Sequence, residues 1–326
     1  MKTTNFFGTI ILAAVMATTI SCSEGNDGPT IQPPMPAMFR QVLNNAFNDI
    51  LQSGTFTAED GINFISEAGV TFTIDPGCIF KDGLPVSGTV NFEFAELYKR
   101  GNMMVVNKPL MGTDVGGDKG PMITGGQFYL KLTQDGEQLT TACFPGYSMV
   151  VPVSLTGETP DPDMTFWTGT EDEDGNMLWN DEGRGQEENW LFGEGANYNL
   201  FGYYFGWINI DILWNLPDPK CPIWIKPPHG YNHKNSSVYV VYKDQPGSLA
   251  YMDVWDTDKE MFTEHYGLAP EGMNFYVIFM SVLDDGRYVY SYKDVTVENN
   301  QIISFEISDL KIMAKDALIA LINNLQ

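Results

Sequence analysis

Phe39, Leu43, Ala46, Phe47 and Ile50 recur at steps of three and four. That spacing lines one face of a helix and predicts one over residues 37–54, with Gly54 as its stop. Beyond Gly54 the period falls to two. Val70, Phe72 and Ile74 alternate with Thr71, Thr73 and Asp75, the signature of a half-buried strand. Val90, Phe92 and Phe94 repeat it, as do Phe128, Leu130 and Leu132, and Asp135-Gly136 closes a hairpin after them. Residues 147–155 form a further strand, whose Pro152 belongs at an edge or a bulge.

The second half continues in the same way. Residues 198–212 are aromatic and strand-like, interrupted by Gly202 and Gly206. Runs at 238–242, 249–255, 275–283, 288–297 and 302–307 are further strands, with a tight turn at Asp284-Asp285-Gly286-Arg287. Many short strands at this spacing predict an all-β chain of two β-sandwich (Ig-like) domains flanked by N- and C-terminal α-helices. The expected first sandwich covers 55–216 and carries an acidic hairpin insertion; the second covers 217–307. Ser308 and Asp309 can cap a final amphipathic helix over 308–326, with Leu310, Met313, Ala317, Leu321, Ile322 and Leu325 along one stripe. A stripe of this kind must be covered, by the body of the chain or by a partner.

The first 36 residues follow neither period. Lys2 precedes an apolar run from Phe6 to Ala17. A spanning helix needs about 20 such residues, so this run suits a secretory signal peptide instead. The run ends Thr19-Ile20-Ser21-Cys22, which resembles the bacterial lipoprotein signal, with Thr19 where leucine is usual. The resemblance implies a signal peptide over 1–21, cleavage before Cys22, and acyl chains on Cys22 that hold the protein at the outer membrane. Ser23-Glu24-Gly25-Asn26-Asp27 resembles the acidic tract of surface-displayed lipoproteins of Bacteroidetes, which implies the cell surface rather than the periplasmic face. Residues 22–36 hold four prolines and read as a stiff tether.

Composition narrows the partners. With 42 acidic against 18 basic side chains the formal charge is −24, one unit more negative once Lys2 is removed. Such a field repels phosphate backbones and excludes nucleic acid as a partner. Hydrophobic residues make up 43%, enough for real cores and too many for a disordered chain. Apart from Cys22, the cysteines are Cys78, Cys143 and Cys221. One disulfide among them or three buried thiols both fit, and spacing does not select a pair.

Residues 69–112, "GVTFTIDPGCIFKDGLPVSGTVNFEFAELYKRGNMMVVNKPLMG", and 125–139, "GGQFYLKLTQDGEQL", resemble a domain of secreted Bacteroidetes proteins. They resemble more distantly the ZU-five-type β-sandwich, although Asp75 precedes Pro76 directly and Cys78 stands where a small residue is usual. "GTEDEDGNMLWND" at 169–181 and "FGWINID" at 205–211 resemble further strands of the same uncharacterised lipoproteins. The resemblance implies fold and address, and it carries no catalytic residues.

Candidate chemistry is sparse. Asp172, Asp174 and Asn176 alternate as calcium ligands do, with Asp181 at the position where an EF-hand loop places glutamate. Asp174-Gly175-Asn176 is equally a good hairpin turn. His229 and His233 stand four apart, but Pro227, Pro228 and Gly230 forbid the helix that would make them a zinc pair, with or without Cys221. No nucleophile elbow or phosphate loop is present. Trp167, Trp179 and Trp190 lie in a polar, acidic segment, where exposed rings would suit a glycan and buried ones would fill a seam between domains. The expected protein is therefore non-catalytic and works by binding or adhesion. Its alternatives are glycan capture in a nutrient-uptake system and a structural role in an envelope assembly through the C-terminal helix.

Overall fold

Extended chain begins earlier than the helical period suggested. In the computed structural model, which describes residues 30–114, 116–117, 119–172, 175–183, 190–264 and 269–325, helix α1 spans Pro36–Asn48. Proline in its first turn supplies a φ already set for the helix. Gly54 does not stop it. The strand Gln52–Thr57 pairs along its whole length with Thr89–Leu97. A Cβ at Gly54 would come within 2.7 Å of the Phe92 ring, so the glycine makes room for that ring.

Thr89–Leu97 and Gln52–Thr57 form one end of a large sheet. The 16-residue strand Lys119–Gln134 lies next, followed by Gly206–Leu213, Thr165–Glu171, Met177–Gly183 and Met111–Thr113. Met111–Thr113 then pairs back onto the start of Lys119–Gln134, so five strands close into a small barrel. Asp135 and Gly136, both at positive φ, make the tight turn that follows the long strand, as the Asp-Gly pair predicts. A second sheet, Trp190–Glu194, Asn197–Gly202, Tyr147–Pro152, Thr71–Ile74 and Ile62–Ile65, covers the outer face of the first. Phe72, Phe94, Phe128, Phe166, Ile208 and Ile210 fill the space between them. Pro152 sits at the last position of an inner strand. Its neighbour Thr71–Ile74 pairs only with residues 148–150, so no ladder bond is lost there. The aromatic run at 198–212 is two strands in two different sheets, with Gly202 ending one and Gly206 starting the other.

The second half is also a pair of sheets. One runs Ala250–Tyr251, Ser237–Tyr242, Asn274–Val282, Tyr288–Thr296 and Lys311–Met313; the other runs Val254–Asp256, Met261–Thr263, Ile223–Lys226 and Gln301–Ser304. Ser237–Tyr242 is buried at all six positions. One reason is a short helix that the pattern reading did not foresee, α2 at Arg100–Val105, whose carbonyls at Met104 and Val105 accept bonds from the Tyr239 and Tyr288 hydroxyls. From Ile31 onward the chain is one compact unit. Leu216, near the expected domain boundary, is itself buried in a hydrophobic cluster that runs from the barrel tryptophans to the second pair of sheets.

The chain ends differently from the expected helix over 308–326. Lys311–Met313 adds a strand beside Tyr288–Thr296, and helix α3 covers only Lys315–Asn323. Leu318 and Ile322 are fully buried, whereas Ala317 faces solvent. The apolar stripe is thus spent on the chain's own core. α3 packs against α2 so closely that a Cβ at Gly101 would lie 2.5 Å from the Ile319 carbonyl oxygen. Cys78 and Cys143 form a disulfide beside the two-residue ladder of Thr140–Thr141 on Ile79–Lys81, and Cys221 is a buried thiol.

Candidate functional site

The strand Gly206–Leu213 turns two different faces to the two sides of its sheet. Ile208 and Ile210 join the outer sandwich core, while Trp207, Asn209 and Asp211 look into the barrel. Alternation with period two puts them there. Their register partners share that face: Tyr129 opposite Trp207, Gln127 and Trp167 opposite Asn209. Trp179 reaches the same space across Gly169, and its ring meets that of Trp207 edge to face at 6.4 Å. A Cβ at Gly169 would collide with both, at 2.7 Å from Trp179 and 2.8 Å from Trp207.

Of the two readings of these tryptophans, ring faces for a sugar or buried filling, the structure gives the buried one for Trp167 and Trp179. Trp167 is 1% exposed and Trp179 is 0% exposed, so neither offers a ring face to solvent. Their indole N–H groups donate to the carbonyls of Asp211 and Pro109, at 2.9 Å each, which is how a buried indole is satisfied. The side chain of Trp190 lies outside the described residues. The calcium set also separates. Asp172 accepts both the backbone N–H and the side-chain amide of Asn176 at 2.9 Å and so closes a hairpin turn. Asp181 is opposite Trp167 on Met177–Gly183, five residues along, or roughly 16 Å from Asn176 at strand rise. It cannot share an ion with them. Asp174 lies outside the described residues, and among those described no three of His, Cys, Asp and Glu gather as metal ligands would. Cys221 donates instead to the Ala269 carbonyl, and the His233 ring lies 5.4 Å from that of Trp255.

What the barrel does contain is a polar row. Asn209 donates to Asp211 Oδ2 at 2.7 Å and accepts from Thr124 Oγ1 at 3.3 Å. Gln127 donates to the Lys108 carbonyl at 3.2 Å. Lys108 is almost fully buried beside Glu171, at 3.1 Å, and 5.4 Å above the Trp207 ring, whose N–H also donates to Glu171. Burial pulls the Lys108 pKa down, against the pull of Glu171. Sequence reading reached this row only as part of the "FGWINID" segment. An Asn-x-Asp step on a strand otherwise made of Trp and Ile was the visible signal.

Asp211 is 0% exposed, and burial raises its pKa well above the usual carboxylate range, with the Asn209 bond among the smaller opposing effects. An acid whose pKa is higher folded than unfolded stabilises the fold while protonated. That contribution is whole below the ordinary carboxylate pKa and is lost as pH rises through the folded value. Asp211→Asn stays neutral and can keep the bond from Asn209. Its melting temperature relative to the parent should therefore climb as pH increases from about 4 to 8. A difference that stays flat across that range would show that burial does not raise the Asp211 pKa.

Thr124 connects the polar row to the surface. It lines a cleft of about 260 Å³ together with Tyr98, Lys99, Thr156, Gly247 and Asn324, and Arg100 forms part of the wall. These residues come from the link between Thr89–Leu97 and α2, from within the strand Lys119–Gln134, from α2, from the turn at Val153–Leu155, from a loop of the second half and from the end of α3. The cleft is the meeting point of both sandwiches and the last helix. The chain matches no known protein family and no curated protein sequence.

Proposed function

We propose that this chain is a lipid-anchored envelope protein that acts by binding and not by catalysis, held to the outer membrane through Cys22 and displayed outward on its acidic tether. The observation that carries the reading is the fate of the thiols. Cys78 and Cys143 are joined to each other, and Cys221 is buried with its thiol on a backbone carbonyl. Neither arrangement calls on Cys22, which in the sequence stands at the end of a signal-like segment. The disulfide itself supports an oxidising compartment such as the periplasm or cell surface. Two or three acyl chains on Cys22, at about 0.8 kcal/mol for each buried methylene, would make release negligible. The C-terminal helix gives no support to an assembly role, because its apolar side chains lie in the chain's own core.

Metabolic labelling with a palmitate analogue tests the anchor. Label should appear on the wild-type protein and vanish completely in Cys22→Ala, which should also leave the membrane fraction. An unlabelled wild type would overturn the reading.

A further inference from the structure

The seam cleft has a composition at odds with the rest of the molecule. In a chain with 42 carboxylates, none lines it among the described residues. Its charged lining groups are Lys99 and Arg100, and they differ in availability. The Arg100 guanidinium is spent on the carbonyls of Ile322, Tyr242 and Leu325. Lys99 is exposed at the rim and takes part in no ion pair among the described residues.

The neutral groups have spare capacity of a definite kind. Asn324 uses one amide N–H on the Ala320 carbonyl and keeps the other, together with its oxygen. Thr156 reaches the Gly125 carbonyl only at 3.5 Å. Thr124, only 3% exposed, has its hydroxyl engaged with Asn209 and the Gly126 N–H and forms the floor of the cleft. Tyr98 gives its proton to Glu96 at 2.8 Å and so presents a ring and an accepting oxygen. One ammonium selects one negative charge, and paired donors and acceptors match the hydroxyl groups of a polyol. The volume lies just under the roughly 300 Å³ at which sites for larger ligands begin, which suits a single sugar ring.

From this geometry we infer that the seam cleft binds a monosaccharide-sized acidic sugar, its carboxylate on Lys99 and its hydroxyls on Thr156 and Asn324. The inference deepens the binding-protein reading and rests on it for the absence of turnover. It does not depend on the lipid anchor.

Two variants probe the site without touching the core. Lys99→Gln removes the charge at an exposed position. Gly247→Val fills the cleft from its wall: a Cβ there meets nothing nearer than 3.5 Å, and the backbone needs no positive φ. The purified full chain would be titrated with galacturonate and glucuronate, and in parallel with glucose and acetate, by calorimetry or ligand-observed NMR. Saturable binding of at least one uronate is expected at millimolar concentration or below. It should weaken about tenfold or more in Lys99→Gln, consistent with loss of a charge-assisted bond, and disappear in Gly247→Val. Glucose should bind more weakly for want of the charge, and acetate for want of the hydroxyls. No uronate binding to the wild type would overturn the inference, as would equal binding in both variants. Acetate binding as tightly as the uronates would reduce the cleft to a simple anion site and overturn the sugar assignment. The palmitate label reads the anchor separately, so a failed titration leaves that reading standing.

Discussion

Arg100→Met should cost about 3–5 kcal/mol of unfolding free energy, the largest single-residue effect expected in this protein. Arg100 is 3% exposed, and its guanidinium donates to the Ile322 carbonyl at 3.0 Å and to the Leu325 carbonyl, both at the C-terminal end of α3. Leu325 lies two residues past the helix, and the Ile322 oxygen otherwise accepts only a long bond from the Leu325 N–H at 3.4 Å. Both oxygens sit at the negative end of the helix dipole. A cation at this point neutralises the field and satisfies both acceptors together. Each charge-assisted bond contributes about 1.5–3 kcal/mol. The contact with the Tyr242 carbonyl at 3.4 Å adds little. Burial lowers the Arg100 pKa, but arginine stays charged throughout the accessible range. Methionine would fill the space, take the charged donor from the Leu325 carbonyl and leave the Ile322 carbonyl only its long backbone bond. Lysine should rescue only part of the loss, because an ammonium cannot fork between separated acceptors. Urea unfolding monitored by circular dichroism measures the cost, and hydrogen exchange in α3 should rise with it. A loss below about 1 kcal/mol would mean that water replaces the guanidinium at little cost.

Breaking the disulfide is the second large effect. Cys78–Cys143 closes a loop of 65 residues, for which the chain-entropy argument gives about 4 kcal/mol and measured cases run about 2–4 kcal/mol. The local structure it fastens is weak by itself. Thr140–Thr141 pairs with Ile79–Lys81 through two residues, far short of an independently stable ladder. Cys143→Ala should lower the melting temperature by roughly 5–10 °C. The variant should then be indifferent to dithiothreitol, while the wild type should fall to the variant's value on reduction. A wild type that reductant leaves unchanged would sink the assignment. Cys221, buried and bonded to a carbonyl, should resist alkylation until the protein unfolds.

The strands legible in the sequence were those with one wet and one dry face. Thr71–Ile74, Thr89–Leu97 and Tyr147–Pro152 alternate in burial as they alternate in type. The Asp135-Gly136 turn was equally visible, because few residue pairs tolerate positive φ at both positions. The division of 198–212 between two sheets could not be read, since both halves are aromatic and apolar and differ only in the neighbours they find. Gly54 misled for a related reason. A glycine in sequence signals conformational freedom, whereas this one serves close approach to the Phe92 ring.

The same division runs through the candidate site. Local periodicity and composition determined the all-β class and the flanking helices, because each depends on residues near one another in the chain. Tertiary structure alone decided that Trp167 and Trp179 are seam filling, that Asp172 and Asp181 stand apart, and that Cys78 takes Cys143. It also built the seam cleft. Tyr98, Thr124, Gly247 and Asn324 are each unremarkable in sequence and belong to four separate segments. Only the packing of α2 and α3 between two sandwiches brings them to one surface, and no short-range pattern encodes contacts made across more than two hundred residues.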